Sequence, residues 1–179
     1  MNYSLATIST IVNGTLTGIN GSHLIKNLLI DSRKINDVDT SLFFAIKGER
    51  HDGHAYIQEL YEKGIRGFVV TRLPENIEHF AAANFILVKN TLFALQQLCA
   101  FHRKQFKIPV IGITGSNGKT IVKEWLYQLM REDKNIVRSP KSFNSQVGVP
   151  LSVWQVTKDH DLGIFEAGIS LPGEMHLLE

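Results

Sequence analysis

The sequence predicts an α/β fold: a small N-terminal α/β domain, then the first part of a P-loop domain with a mainly parallel sheet. Three observations carry that prediction. Short apolar runs at 42–46, 67–70, 85–88 and 162–165 alternate with segments of helical periodicity. A strand, a glycine-rich loop and a helix follow one another across residues 108–130. The polar, basic helix end from Arg103 to Lys107 is the best place for one domain to give way to the next, which divides the chain into 1–106 and 107–179.

Taken in order, Ser4 can cap a short helix with Leu5, Ile8, Ile11 and Val12 on its apolar side, and Asn13-Gly14 supplies the stop. A polar turn region runs to Asn20-Gly21. Two short strands follow, Leu28 to Ile30 and Leu42 to Ile46. The first ends in Asp31-Ser32-Arg33 and the second in the loop from Lys47 and Gly48 to Asp52, Gly53 and His54. In α/β sheets ligands gather at strand ends, so both loops are candidate binding loops, with ordinary surface connection as the equal alternative. A helix over 55–63 stops at Gly64, strand Gly67 to Val70 precedes a loop with Pro74, and strand Phe85 to Val88 precedes a helix over 92–106 capped by Thr91. Leu92, Leu95, Leu98 and Cys99 form the inward side of that helix.

The stretch Gly112-Ile113-Thr114-Gly115-Ser116-Asn117-Gly118-Lys119-Thr120 organises the second part. Before it lies Ile108 to Ile111; after it, Ile121, Val122, Trp125, Leu126, Leu129 and Met130 recur at helical spacing. Such a loop turns successive backbone N–H groups toward one point, where the helix start adds partial positive charge and Lys119 a full one. Phosphate suits that point, and the Thr120 hydroxyl falls where a Mg²⁺ bridging two phosphates can take it as a ligand. The usual pattern asks for glycine at position 113; here glycines stand at 112 and 115.

Downstream, a strand over 135–137 leads to the loop from Ser139 to Pro150, and Pro150 suits the first turn of a helix through Trp154. Strand Leu162 to Phe165 ends in Glu166, a natural second Mg²⁺ anchor beside a P-loop. From Gly173 the sequence predicts the opening of an amphipathic helix without a stop signal, which points to an N-terminal fragment of a longer protein.

Composition narrows the class. A 44% hydrophobic content supports a packed core, and a net charge of +2 without basic blocks argues against a nucleic-acid partner. The cluster His102, Arg103, Lys104 and Lys107 reads as a solvated helix end. The single Cys99 excludes an internal disulfide and suits a reducing compartment. With no apolar run approaching a membrane span, the cytoplasm is the default location. His51 and His54 lack an evident third ligand for zinc. Trp125 and Trp154 read as core. The sequence sets no oligomeric state.

Several pieces, in this order along the chain, resemble the Mur ligases. They are Asp31-Ser32-Arg33; Leu42-Phe43-Phe44-Ala45-Ile46-Lys47-Gly48 with Asp52-Gly53-His54; Gly112 to Thr120; Asn144 to Pro150; and Glu166-Ala167-Gly168 with Gly173-Glu174. That family's phosphate loop carries the same displaced glycine. The resemblance implies a three-domain, ATP-dependent amide ligase of peptidoglycan precursor synthesis: a substrate domain for the UDP-sugar, a central ATP-binding domain, and a third domain beyond this chain. UDP-N-acetylmuramoyl-tripeptide would supply the carboxylate and D-alanyl-D-alanine the amine. By the same resemblance Ser32, Arg33, Lys47, Gly48, Asp52 and His54 belong to the nucleotide-sugar site. Thr114, Gly115, Ser116, Asn117, Gly118, Lys119 and Thr120 hold ATP, Lys119 and Glu166 are catalytic, and Thr120 and Glu166 serve Mg²⁺. Asn144 and Ser145 fall where the family shows paired asparagines near the reacting end of the substrate; Ser145 departs from that pattern.

A sister ligase adding the third amino acid usually carries a threonine pair in place of Phe143-Asn144-Ser145-Gln146. Folylpolyglutamate synthetases share the ATP domain but lack the domain with Asp31-Ser32-Arg33. A non-catalytic UDP-sugar or nucleotide-binding module is the reading from another class. Ser139 to Gln155 also resembles versions fused to a C-terminal alanine racemase.

Overall fold

The computed structural model describes residues 2–35, 37–48, 51–169 and 173–177. The chain is a mixed α/β structure in two compact units, Met1–Leu95 and Gln96–Glu179.

In the N-terminal unit, Ser4 accepts a hydrogen bond from Thr7 N and starts α1 (Leu5–Ile11), after β1 (Tyr3–Ser4). Next come β2 (Thr15–Gly18), β3 (Leu24–Ile25), β4 (Asn27–Leu29), β5 (Ser41–Phe44), α2 (Ile57–Glu62), β6 (Gly67–Val70) and β7 (Asn84–Leu87). A five-stranded sheet has the order β2-β7-β6-β5-β4. All its pairs are parallel except β2 with β7. The region read as a polar turn is therefore partly an edge strand. Thr15, Leu16 and Thr17 do alternate, but the strand is mostly exposed and so lacks the apolar run that marks its neighbours. β5 and β6 are buried at every position, which is why they read as continuous apolar runs. Phe43, Phe68 and Phe85 form the centre of the core, with Phe68 stacked on Phe85 at 5.3 Å between ring centroids.

Helix α3 (Thr91–Lys104) spans the boundary between the units. Its first turn is capped by Asn90, whose Oδ1 accepts from Phe93 N, and not by Thr91. The Thr91 hydroxyl instead donates to the carbonyl of Ala45 at 3.2 Å, so burial took the residue expected to cap.

The C-terminal unit contains β8 (Val110–Ile113), α4 (Lys119–Met130), β9 (Ile136–Arg138), α5 (Gly148–Val153) and β10 (Leu162–Glu166). Its sheet is parallel throughout, in the order β8-β10-β9. The segment after Gly173 forms a short 3₁₀ turn, Glu174–Leu177; Ser170, Leu171, Pro172, Leu178 and Glu179 lie outside the described residues.

Three expectations about side-chain placement change here. His102 is not solvated: it is 2% exposed, its Nε2 lies 2.9 Å from the carbonyl of Val156, and its ring packs 4.6 Å from that of half-buried Trp154. Burial holds its pKa below the ordinary histidine value. Arg103 is turned to the carbonyls of Phe106 and Ile108 rather than to water. Trp125 is not core but 64% exposed, together with Ile121, Val122 and Leu129, because α4 meets β10 and β8 with its opposite side. Cys99 is buried, and burial pushes its thiol pKa up. Among the described residues no helix is long and apolar enough to cross a membrane.

Candidate functional site

The phosphate loop occupies the step from strand to helix. β8 ends at Ile113, Thr114 lies exposed just beyond it, and α4 begins at Lys119. Gly115 has φ 135° and Gly118 φ 79°, conformations that L side chains rarely adopt. A Cβ at either position would meet no atom within 4 Å, so the requirement for glycine is backbone shape rather than space. Ser116, Asn117, Gly118, Lys119 and Thr120 line a pocket of about 280 Å³, joined by Ile121 and Asn144. The Lys119 ammonium reaches back over the loop and donates to the carbonyl of Gly115 at 2.6 Å. A phosphate entering the loop offers that ammonium a charged acceptor in place of a neutral one.

Parallel pairing carries the acid to the same level. Glu166, the last residue of β10, stands opposite Ile113, the last residue of β8. Its side chain is fully buried, and Thr120 Oγ1 donates to its Oε2 at 3.1 Å. Oε1 lies 2.7 Å from the Nζ of Lys123, an ion pair without the alignment of a hydrogen bond, so this buried oxygen is left with no hydrogen-bond partner. The Glu166 carboxylate and the Thr120 hydroxyl, side by side at a phosphate loop, are an oxygen donor set that suits a hard divalent cation. Sequence reasoning missed Lys123. Its signal was a lysine four positions after Lys119, inside a run otherwise read as apolar.

Asn144 and Ser145 part company. Asn144 lines the phosphate pocket and its carbonyl accepts from Gly168 N at 2.7 Å. Ser145 Oγ accepts from the N–H of Gly148, the first residue of α5, at 3.1 Å and so ties the loop to the start of that helix.

The loops of the N-terminal unit form a separate cluster. Ser32 and Arg33 line a pocket of about 460 Å³ together with Asp31, His51, Gly53 and Tyr56. Asp31 grips Arg33 through both carboxylate oxygens, each at 2.9 Å, and the Arg33 hydrogen bonds hold the carboxyl pKa down at about 2. Ser32 is buried, while the Arg33 side chain is 85% exposed and open to a ligand. Lys47 pairs with Asp52 in an antiparallel bridge, and Gly48 N donates to the carbonyl of His51 at 2.8 Å; Glu49 and Arg50 lie outside the described residues. Gly53 must be glycine, since a Cβ would sit 2.8 Å from the backbone of Ala45.

Asp52 and His54 face inward instead. The His54 ring accepts from Thr71 N at Nε2, so Nδ1 carries the proton and donates to Asp52 Oδ1 at 2.6 Å. Arg72 donates to Asp52 Oδ2 at 2.8 Å and holds that carboxyl well below the usual carboxylate range. Both residues line a second pocket of about 360 Å³, apart from Ser32 and Arg33, and their hydrogen bonds tie the loop after β5 to the end of β6.

The comparisons with known proteins match the chain in two stretches. The family model described as "Mur ligase family, catalytic domain" matches residues 24–103, and "Mur ligase middle domain" matches 113–179. The chain belongs to the Mur ligase family. Within it, the chain is 35% identical over 175 residues to the UDP-N-acetylmuramoyl-tripeptide--D-alanyl-D-alanine ligase of Buchnera aphidicola subsp. Acyrthosiphon pisum, with 98% of this chain and 36% of the relative covered. A crystal structure of MurF from Acinetobacter baumannii covers 99% of this chain and 38% of its own, at 27% identity and TM-score 0.89. The MurF ligase from Thermotoga maritima in complex with ADP covers 86% and 34%, at 29% identity and TM-score 0.73. The chain thus spans little more than a third of the length of the proteins it matches.

Proposed function

We propose that this chain supplies the N-terminal part of an ATP-dependent carboxylate–amine ligase that joins D-alanyl-D-alanine to UDP-N-acetylmuramoyl-tripeptide in the cytoplasm. The UDP-sugar domain is drawn at 1–106 and the start of the ATP domain at 107–179, with the last part of α3 already packed in the C-terminal unit. The observation that carries the reading is the phosphate loop with Glu166 at the adjacent strand end, bonded to Thr120. Relatives named for this ligation support the choice of substrates.

The chemistry explains why such a site is needed. A carboxylate does not condense with an amine at neutral pH, because its leaving group is poor. Transfer of the γ-phosphoryl group of ATP to the tripeptide carboxylate gives an acyl phosphate and ADP. The amine of D-alanyl-D-alanine then displaces phosphate, forming the amide and releasing a proton. The first step sets one anion against another. Lys119 and the N–H groups of residues 115–119 bind the phosphate oxygens and stabilise charge as it shifts in the transition state. Thr120 and Glu166 are the residues that would hold Mg²⁺, which would supply further positive charge beside the phosphates. Ser32, Arg33, Lys47 and Gly48 bind the nucleotide-sugar. Asp52 and His54 keep the shape of the loop after β5, and Asn144 faces the phosphate pocket near the reacting end.

The test is phosphate release by the full-length protein given ATP, Mg²⁺, UDP-N-acetylmuramoyl-tripeptide and D-alanyl-D-alanine. Release that needs all three substrates supports the ligase. Release with a free amino acid and the dipeptide precursor would identify the sister enzyme, and binding of UDP-sugar without any release would identify a binding module.

A further inference from the structure

Lys123 is the buried charge that the mechanism above leaves unused. Its side chain has no exposure, and it shares the interior of the C-terminal unit with the equally inaccessible Glu166. Burying two charges is costly, and a well-packed apolar pair of similar volume is often as stable or more so. Stability alone therefore gives little reason for a lysine here. We propose that Lys123 is a positioning residue that fixes the Glu166 carboxylate for a divalent cation at the phosphate loop.

The geometry gives the reason. Lys123 follows Lys119 by four residues and Thr120 by three, which places all three on one face of α4. The Lys123 ammonium is held by two backbone carbonyls, that of Ser139 at 2.8 Å and that of Lys141, and Glu124 Oε1 lies 3.4 Å away. So anchored, the ammonium cannot follow a moving carboxylate. It stays beside Oε1 and leaves Oε2 turned to the Thr120 hydroxyl. Ser139 closes the ring, because its Oγ accepts from Glu166 N at 3.0 Å. One side chain thus joins the phosphate-loop helix, the acid at the end of β10 and the loop that leads to Asn144. The assignment rests on the ligase reading, since it presumes that Glu166 serves a cation next to bound ATP.

The test is calorimetric binding of ATP to the full-length protein as Mg²⁺ is titrated, in the wild type, Lys123→Met, Glu166→Gln and the double variant. Partners that orient a metal ligand change metal affinity by about 10- to 100-fold. Lys123→Met should raise the Mg²⁺ needed for half-maximal ATP binding by at least about tenfold, yet add less than about twofold in the Glu166→Gln background, as expected if it acts through Glu166. A merely structural role would change both backgrounds alike. Should Lys123→Met fail to fold, Lys123→Gln in the two backgrounds makes the same comparison; equal effects in the two would overturn the assignment. An unchanged Mg²⁺ requirement in a folded Lys123 variant would overturn it while leaving the ligase reading intact. Absence of ATP binding by the wild type would remove the ligase reading and this assignment together.

Discussion

The two units spend their interiors differently. In the N-terminal unit, β5 and β6 are buried at every position, phenylalanines fill the core, and the charged pairs Asp31–Arg33 and Asp52–Arg72 sit at loops with solvent access. In the C-terminal unit, α4 turns a lysine inward and leaves Ile121, Trp125 and Leu129 exposed, while the end of β10 buries a glutamate. One unit is organised by apolar burial and carries its site on loops. The other gives two fully buried positions to charges, Lys123 and Glu166, because a phosphate site needs them fixed and shielded from water.

This contrast can be broken or sharpened by substitution. Phe68→Ala should have the largest effect on stability, about 3–5 kcal/mol by urea unfolding, because it empties the centre of the aromatic core. A loss below about 1 kcal/mol would show that the apolar core is not what holds that unit. Lys119→Ala should lower phosphate release by about a hundredfold or more while leaving the melting temperature close to that of the wild type, since the residue is at the loop and not in a core.

How far the sequence disclosed this plan depended on the kind of burial. Strand, glycine loop and helix were readable from β-branched runs and glycines, and Glu166 from its place after an apolar strand. The facing of α4 was not readable. Its apolar spacing fixes a helix but not which side meets the sheet, and Lys123 on that side finds Ser139 and Glu166, 16 and 43 residues away in the chain. Asp52 and His54 were likewise visible as a polar loop, whereas their inward hydrogen bonds depend on Thr71 and Arg72 at the end of another strand. Edge strand β2 was lost because its pairing buries little.

Smaller effects complete the comparison. Asp31 and Asp52 both have folded-state pKa values below the ordinary 3.8, that of Asp31 at about 2. A depressed carboxylate stabilises the folded state above its unfolded pKa, and that contribution is lost as pH falls through the folded value. The N-terminal unit should therefore lose stability between about pH 4 and pH 2, and Asp52→Asn should flatten that part of the profile in a thermal-melt series. A profile unaltered by Asp52→Asn would mean that the Arg72 and His54 contacts contribute nothing. Smallest of all, Leu129→Ala should change stability by no more than about 0.5 kcal/mol, since the side chain is 76% exposed. A loss of 2 kcal/mol or more, a cost of about the size seen when core leucines are truncated, would show that this face of α4 is covered in the full-length protein.

The central claim is that the phosphate site activates a carboxylate as an acyl phosphate. It is tested most directly by supplying full-length protein with UDP-N-acetylmuramoyl-tripeptide labelled with ¹⁸O in its terminal carboxylate, together with ATP, Mg²⁺ and D-alanyl-D-alanine. The account predicts that each phosphate released carries one ¹⁸O from that carboxylate. Amide formation with phosphate free of the label would contradict it.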